Sequence, residues 1–273
     1  IERTLGYALT GVTVEQKLFI WWGGGANGKS TLGNVVRAVL GDYAGTIPPK
    51  ALNVRQFDAH PTELMELEGL RFVLDNEKER SDALAEGLIK RLTGETTVKA
   101  RRMRQDFVEF PATHKIFLYT NPKPRITGSD HGIWRRLCLV PFEYRITQRD
   151  DTVEPRLIAE APGVLARLVQ RCLEWQRHGL AEPAAVVAAM ASYRGTQDPT
   201  VAFTESRCTE ADGVRVEKGE LHRAYTAWRI ANDAPVLTFR EFNERLEARG
   251  IPDDRSTGGR YVWKGLALRE EQE

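Results

Sequence analysis

The sequence predicts an α/β chain with a largely parallel central sheet, followed by a smaller unit of short helices and strands. Three observations predict it. Short apolar runs alternate with helical patterns up to about residue 195, the order that strand–helix–strand units need. The first strand-like run, Leu18-Phe19-Ile20-Trp21-Trp22, feeds a glycine-rich loop and then an amphipathic helix. Beyond residue 195 the pattern changes to short helices and two apolar triplets near the end. A chain of 273 residues exceeds what one compact domain usually needs, so a large domain over 1–195 and a small one over 196–273 are expected.

In order along the chain, Leu5, Tyr7, Ala8 and Leu9 mark a short helix ending at Gly11. The apolar strand 18–22 follows, then Gly23 to Thr31, then a helix with Leu32, Val35, Val36 and Val39 on one face and Gly41 past its end. Ala51 to Leu67 reads as a helix entered after Pro61. Leu70 to Leu74 is a second buried strand, and it ends in Asp75-Asn76-Glu77. Ser81 is placed to cap a helix carrying Leu84, Leu88 and Leu92. Thr96 to Phe110 reads as a hairpin with a basic tip at Lys99, Arg101, Arg102 and Arg104. Lys115 to Asn121 is a third buried strand, stopped by Pro122 and Pro124, and Arg136 to Phe142 a fourth. Arg156 to His178 is helical, with Leu165, Leu168, Val169, Cys172 and Trp175 on one stripe, and Tyr193 to Thr200 reads as a linker. In the last stretch Val201 to Ala211 is helical, Leu221, Tyr225 and Trp228 share a helical face, and Thr238-Phe239-Arg240-Glu241 is a capping box. Tyr261-Val262-Trp263 and Leu266-Ala267-Leu268 flank Lys264-Gly265 like a hairpin, which makes the whole unit read as a winged helix.

Bulk composition excludes little. Net charge is +1, so any footprint for nucleic acid must be local. Cys138, Cys172 and Cys208 are far apart and form no metal or redox spacing, which fits small buried hydrophobes in a reducing, cytoplasmic setting. No apolar run approaches the roughly 20 residues of a membrane-spanning helix. The chain begins at Ile1 in mid-pattern, as a piece of a longer protein is expected to.

The chemistry starts in the glycine loop. Gly23-Gly24-Gly25-Ala26-Asn27-Gly28-Lys29-Ser30 fits the spacing G-x-x-x-x-G-K-[ST], with a strand before it and a helix after it. Glycines let backbone N–H groups turn inward, and the helix N-terminus adds positive potential, so the loop from Gly23 to Thr31 suits nucleotide phosphates. In such a loop Lys29 reaches the β- and γ-phosphates of ATP and the Ser30 hydroxyl sits on Mg²⁺. A carboxylate must then position metal and water. In an extended segment Asp75 and Glu77 share a face, so Glu77 is the candidate water-polarising acid and Asp75 the metal support. Asn121, at the end of a buried strand, is read either as a polar group over the phosphates or as a turn starter before Pro122. Arg135-Arg136 is either a surface ion-pair former or a donor fork for a neighbouring subunit's phosphate. Lys99, Arg101, Arg102 and Arg104 are either a solvated charged loop or a grip on a phosphate backbone, and Lys90 and Arg91 nearby favour the grip.

Read together, these stretches resemble the superfamily 3 helicase module of phage and plasmid primase–helicases, related to the poxvirus primase–helicase. The resemblance rests on Gly6 to Gly11, Gly23 to Thr31, Leu92-Thr93-Gly94, Lys99-Ala100-Arg101, Thr120-Asn121 and Trp134-Arg135-Arg136-Leu137. It implies an AAA+-like core that assembles as a ring, usually a hexamer, with ATP bound between subunits. Lys29 and Ser30 would then serve as Walker A, Glu77 with Asp75 as Walker B, and Asn121 as sensor 1. Arg136, or secondarily Arg135, would reach the neighbour's γ-phosphate. The hairpin with Lys99 and Arg101 would grip one DNA strand, translocating 3′ to 5′, and a primase domain would lie upstream in the full-length protein. The separated acids of Asp75-Asn76-Glu77 depart from the adjacent pair of many helicases. The competing expectation is an ATP-gated initiator or loader that binds DNA and never translocates.

Overall fold

The computed structural model describes residues 1–48, 51–54, 61–75, 83–127, 131–255 and 259–269. The chain divides into two compact units, one of Ile1–Gly128 with Gly132–Ala191, the other containing Ser192–Glu273.

The first unit is a five-stranded sheet in which every pairing is parallel. Its strands are β1 (Leu18–Trp22), β2 (Ala44–Thr46), β3 (Phe72–Asp75), β6 (Lys115–Thr120) and β7 (Leu137–Pro141), in the order β2-β3-β6-β1-β7. A separate antiparallel hairpin is formed by β4 (Thr97–Arg101) and β5 (Phe107–Pro111). Helices of this unit are α1 (Glu2–Ala8), α2 (Lys29–Leu40), α3 (Glu86–Gly94), α4 (His131–Trp134), α5 (Val153–Ala159) and α6 (Ala161–His178). Helix α7 (Ala184–Gln197) runs through the division between units.

Burial explains why the strands are apolar throughout. Alternate residues of neighbouring strands, Phe19 and Trp21, Phe72 and Leu74, Phe117, Cys138 and Val140, point to one face and form one core with Leu5, Tyr7, Val36 and Leu168 of the helices. The intervening Leu18, Ile20, Ile116 and Leu118 are also buried, so both faces are covered. The aromatic rings pack across strands, Phe19 stacked on Phe117 with centroids 4.8 Å apart and Phe72 tilted against Phe117 at 4.7 Å.

At the N-terminal edge of the sheet a lysine is buried. Lys115 Nζ donates to the carbonyls of Thr10, Val12 (3.4 Å) and Thr113 (2.9 Å), tying the end of α1 to β6. Burial, helped by nearby Arg71, pulls its pKa down from 10.5 to about 7. The unfolded chain therefore holds this proton to higher pH than the native one, and stability rises with pH between those two values. Urea denaturation of the wild type is expected to show gains from pH 7 to pH 9 that Lys115→Met lacks. A parallel pH profile in the variant would refute this.

Several sequence expectations change. The helix expected over Ala51–Leu67 is only a 3-10 turn at Glu63–Leu67 among the described residues. On α6, Leu168 and Cys172 are buried, but Leu165 and Val169 are exposed, because the face packed on the core is narrower than the apolar stripe. The segment Tyr193–Thr200 is helical rather than an open linker. Asp198 alone separates α7 from α8 (Pro199–Arg207), and its side chain accepts from Thr200 N at 2.9 Å. An aspartate cap followed by proline at the first helical position starts a helix as readily as it ends one.

The second unit packs α8, α9 (Lys218–Ala231) and α10 (Phe239–Ala248) with an antiparallel sheet of β8 (Cys208–Glu217), β9 (Asp253–Arg255) and β10 (Tyr261–Leu268), in the order β8-β10-β9. Phe203, Leu221, Tyr225, Phe242, Leu246 and Trp263 form its core. The capping box is present, with Thr238 N donating to Glu241 Oε2 at 2.9 Å and Glu241 N to Thr238 Oγ1 at 3.3 Å. Helix α8 ends at Arg207, four residues earlier than expected, where β8 (Cys208–Glu217) begins. The expected terminal hairpin is one strand, β10 (Tyr261–Leu268), whose partners are β8 and β9 (Asp253–Arg255). Gly265, at φ +77°, forms an irregularity inside that strand instead of a turn. No helix among the described residues is long and apolar enough to cross a membrane.

Candidate functional site

Parallel strands bring their C-terminal ends to one edge of a sheet. Trp22, the last residue of β1, lies level with Thr120, the last of β6, and with Pro141 at the end of β7. The glycine loop leaves β1 at this edge and enters α2 at Lys29. Gly25 at φ +92° and Gly28 at φ +82° take left-handed conformations that only glycine adopts freely, and Ala26 accepts one at φ +48°.

Lys29 is 5% exposed, and its amine is held by three oxygens. It donates to the Gly23 carbonyl at 2.8 Å, to Asn27 Oδ1 at 2.9 Å and to Asn121 Oδ1 at 3.3 Å. The last contact joins residues 92 positions apart in sequence. It follows from the strand order, which places β6 next to β1. The Asn121 side chain thus lies at the lysine of the glycine loop.

The loop has an inner and an outer side. A Cβ added at Gly23 would lie 2.2 Å from the Phe142 carbonyl oxygen, whereas among the described residues nothing lies within 4 Å of one added at Gly24 or Gly25. Glycine is thus required for packing at the first position and leaves open space at the next two. Ser30 and Thr31 follow in the first turn of α2, with the Ser30 side exposed. N–H groups of a first helical turn have no intrahelical carbonyl to meet. Backbone, open space, a lysine and an exposed hydroxyl therefore fit a polyphosphate with its divalent cation.

Asp75 ends β3 and is fully buried, level with Leu118 of β6. A buried carboxylate requires compensating charge or hydrogen bonds. Glu77, with Asn76 and Ser81, lies outside the described residues.

The two arginines differ. Arg136 is half-buried, donates from Nη1 to the Gly132 carbonyl at 2.7 Å, and places Nη2 2.8 Å from where a Cβ on Gly94 would be. Arg135 is exposed and donates to Gln16 Oε1 at 2.8 Å.

Lys99 and Arg101 lie on strand β4 rather than at a tip, while Arg102 and Arg104 occupy the turn between β4 and β5. Arg102 pairs with Glu68 at 3.2 Å.

Sequence reasoning missed the brace across the loop. Asn27 Nδ2 donates to the Phe142 carbonyl at 2.9 Å, and Ile146 N donates to the Ala26 carbonyl at 2.7 Å. The segment after β7 therefore fixes the loop from above. Both contacts use main-chain groups of Phe142 and Ile146, which carry no sequence signal.

A family model described as a family of unknown function (DUF5906) matches residues 21–136. The chain is 25% identical over 255 residues to a protein of Acanthamoeba polyphaga mimivirus provisionally named a helicase, a match covering 85% of this chain and 27% of that protein. It is 30% identical over 151 residues to a protein of African swine fever virus provisionally named a primase, covering 54% of this chain and 16% of that protein. A protein of Invertebrate iridescent virus 6, provisionally named a helicase, is 28% identical over 141 residues, covering 47% and 14%. The chain spans between 14% and 27% of the length of these relatives. Among solved structures, the A form of the apo NrS-1 C-terminal region aligns over 97% of this chain and 71% of its own, with a TM-score of 0.56 at 12% identity. A second apo structure of that region gives a TM-score of 0.50 at 13% identity over 93% of this chain and 67% of its own. By sequence, then, the chain is similar to helicase- and primase-named proteins of large DNA viruses, and by fold to the NrS-1 C-terminal region.

Proposed function

We propose that this chain is the ATP-driven motor of a DNA replication helicase, the helicase part of a primase–helicase. The observation that carries the reading is the Lys29 amine joined to Asn121 across two adjacent parallel strands, beside a loop with open space at Gly24 and Gly25. Binding proteins without hydrolysis need a phosphate cradle; a hydrolase also needs polar groups from other strands aimed at the same point. The helicase and primase names of the viral relatives supply the DNA replication context.

In this reading Lys29 and the amides of Gly24 to Thr31 hold the phosphates of ATP. Ser30, with Asp75 or Glu77, holds Mg²⁺, which neutralises phosphate charge when bound. Glu77 polarises the attacking water and Asn121 orients it. A neighbouring subunit supplies an arginine. Arg136, or secondarily Arg135, is that arginine; Arg136 is half-buried and bonded to the Gly132 carbonyl, and Arg135 is exposed. The assembly is a ring, a hexamer in this proposal, with Lys99, Arg101, Arg102 and Arg104 on a DNA strand moving 3′ to 5′. The second unit is a winged helix in this reading, with three helices and a small antiparallel sheet in its support.

Steady-state phosphate release and forked-duplex unwinding test it. Turnover per chain is expected to rise with protein concentration and with added DNA, by about tenfold or more if an arginine from a neighbour completes the site. A fork with a 3′ tail is expected to be unwound. Slow, concentration-independent hydrolysis with DNA binding and no strand displacement would instead favour an initiator or loader.

A further inference from the structure

We propose that Phe107 is a stacking platform for one base of single-stranded DNA, with Lys99 and Arg101 taking the phosphates beside it. The proposal rests on the reading of the β4–β5 hairpin as the strand-gripping element and adds to it a residue of a different chemistry.

The argument begins with the period of two along a strand. On β4, Val98 and Ala100 are buried, so Thr97, Lys99 and Arg101 take the outer face. The register pairs Val98 with Phe110, Lys99 with Glu109 and Arg101 with Phe107. Phe110 is buried with its partner, which puts Phe107 and Glu109 on the outer face with the two cations. An aromatic ring is therefore on the solvent side of a hairpin whose inner side already has its own apolar residues. Phe107 is 49% exposed.

The ring is not isolated. The Arg101 guanidinium carbon lies 5.0 Å and the Lys99 amine 5.4 Å from its centroid. Both cations lie over the ring within the reach of a cation–π contact, so a stacking base takes the part of the ring that remains exposed. A half-exposed aromatic in contact with two cations is a combination that single-strand sites use, since every base has a π-face and every nucleotide a phosphate.

Charge selects the occupant. Between Thr97 and Pro111 the hairpin carries four cationic side chains and two anionic ones, Asp106 and Glu109. Glu109 accepts from Thr97 Oγ1, which places the carboxylate toward the base of the hairpin. Arg102 is partly neutralised by Glu68. Cations thus outnumber anions on the hairpin, with Glu109 opposite Lys99 and Asp106 beside Phe107 offsetting part of the charge that draws phosphate.

The test measures binding of fluorescent oligo-dT to the full chain by anisotropy, over a salt series, with a non-hydrolysable ATP analogue present. Phe107→Leu is expected to weaken binding about 5- to 160-fold, the range for one lost base–aromatic stack, without changing the salt slope. Phe107→Trp is expected to bind within about threefold of wild type, because stacking is retained. Arg101→Gln is expected to weaken binding and to make the slope shallower by about 0.7. If Arg101→Gln weakens binding while Phe107→Leu stays within twofold of wild type, the hairpin grips DNA but the stacking proposal is overturned. If Phe107→Leu weakens binding and Phe107→Trp fails to restore it, stacking is likewise overturned. If neither Phe107→Leu nor Arg101→Gln has an effect, both the stacking and the hairpin reading fall.

Discussion

If the chain is the proposed motor, Lys29→Ala is expected to lower ATP turnover at least about 100-fold and to remove unwinding, while leaving the fold intact. The magnitude follows from what the amine supplies. A preorganised donor aimed at developing phosphate charge in a partly dry site contributes about 10²- to 10³-fold. Lys29 is preorganised: its amine is already held by Gly23, Asn27 and Asn121 at 2.8, 2.9 and 3.3 Å. Stability changes in both directions. Lys29 is the first residue of α2, where the helix dipole disfavours a cation and alanine favours the helix, but its removal takes a buried donor from the Gly23, Asn27 and Asn121 oxygens, at a cost of about 1–3 kcal/mol. Thermal melts of the variant are therefore recorded beside the rates, and a folded baseline at the assay temperature assigns the lost turnover to the site. Initial rates of phosphate release, with and without DNA, are the measurement. Activity within tenfold of wild type would show that the Lys29 amine is not the phosphate ligand.

The parts of this site that were legible in the sequence are local ones. Gly23 to Ser30 is a contiguous pattern whose chemistry depends on residues within eight positions of one another. The strands around it are legible because both sheet faces are covered, so each strand is one apolar run. The contacts that complete the site are set by sheet order and by main-chain groups. Asn121 could be read as a turn starter or a ligand, and only the placement of β6 beside β1 joins it to Lys29. The Phe142 carbonyl that holds Asn27 is 115 residues away, and any residue type would present the same oxygen.

The second unit shows the same limit on its backbone. Lys264-Gly265 between apolar triplets has the composition of a hairpin turn, yet Gly265 at φ +77° relieves an irregularity within β10. A left-handed glycine serves either purpose, and the choice is made by β8, more than forty residues earlier, pairing on both sides of it. The Arg135-Arg136 pair is legible as a pair and illegible as two roles. Only packing separates the half-buried Arg136, tied to the Gly132 carbonyl, from the exposed Arg135.

Gly23→Ala and Gly24→Ala are expected to fail in different ways, although the residues are neighbours in one motif. A methyl at Gly23 would stand 2.2 Å from the Phe142 carbonyl oxygen and 2.5 Å from Asn27 Nδ2. The obstacle is main chain, which cannot rotate aside. Moving it breaks the Asn27–Phe142 bond of 2.9 Å, and with it the placement of the Asn27 oxygen that holds Lys29. Overpacking of this kind costs about 1–3 kcal/mol. Gly23→Ala should therefore lower the urea midpoint and also lose nucleotide binding. At Gly24 an added Cβ meets none of the described residues within 4 Å, so stability should stay within about 0.5 kcal/mol of wild type. The methyl would instead stand in the open space proposed for phosphate, and nucleotide affinity should fall with the fold unchanged. Paired urea denaturation and nucleotide titration separate the two outcomes. If Gly23→Ala is as stable as wild type, the close approach to Phe142 is not what makes glycine necessary there. If Gly24→Ala binds ATP normally, the phosphates do not lie on that side of the loop.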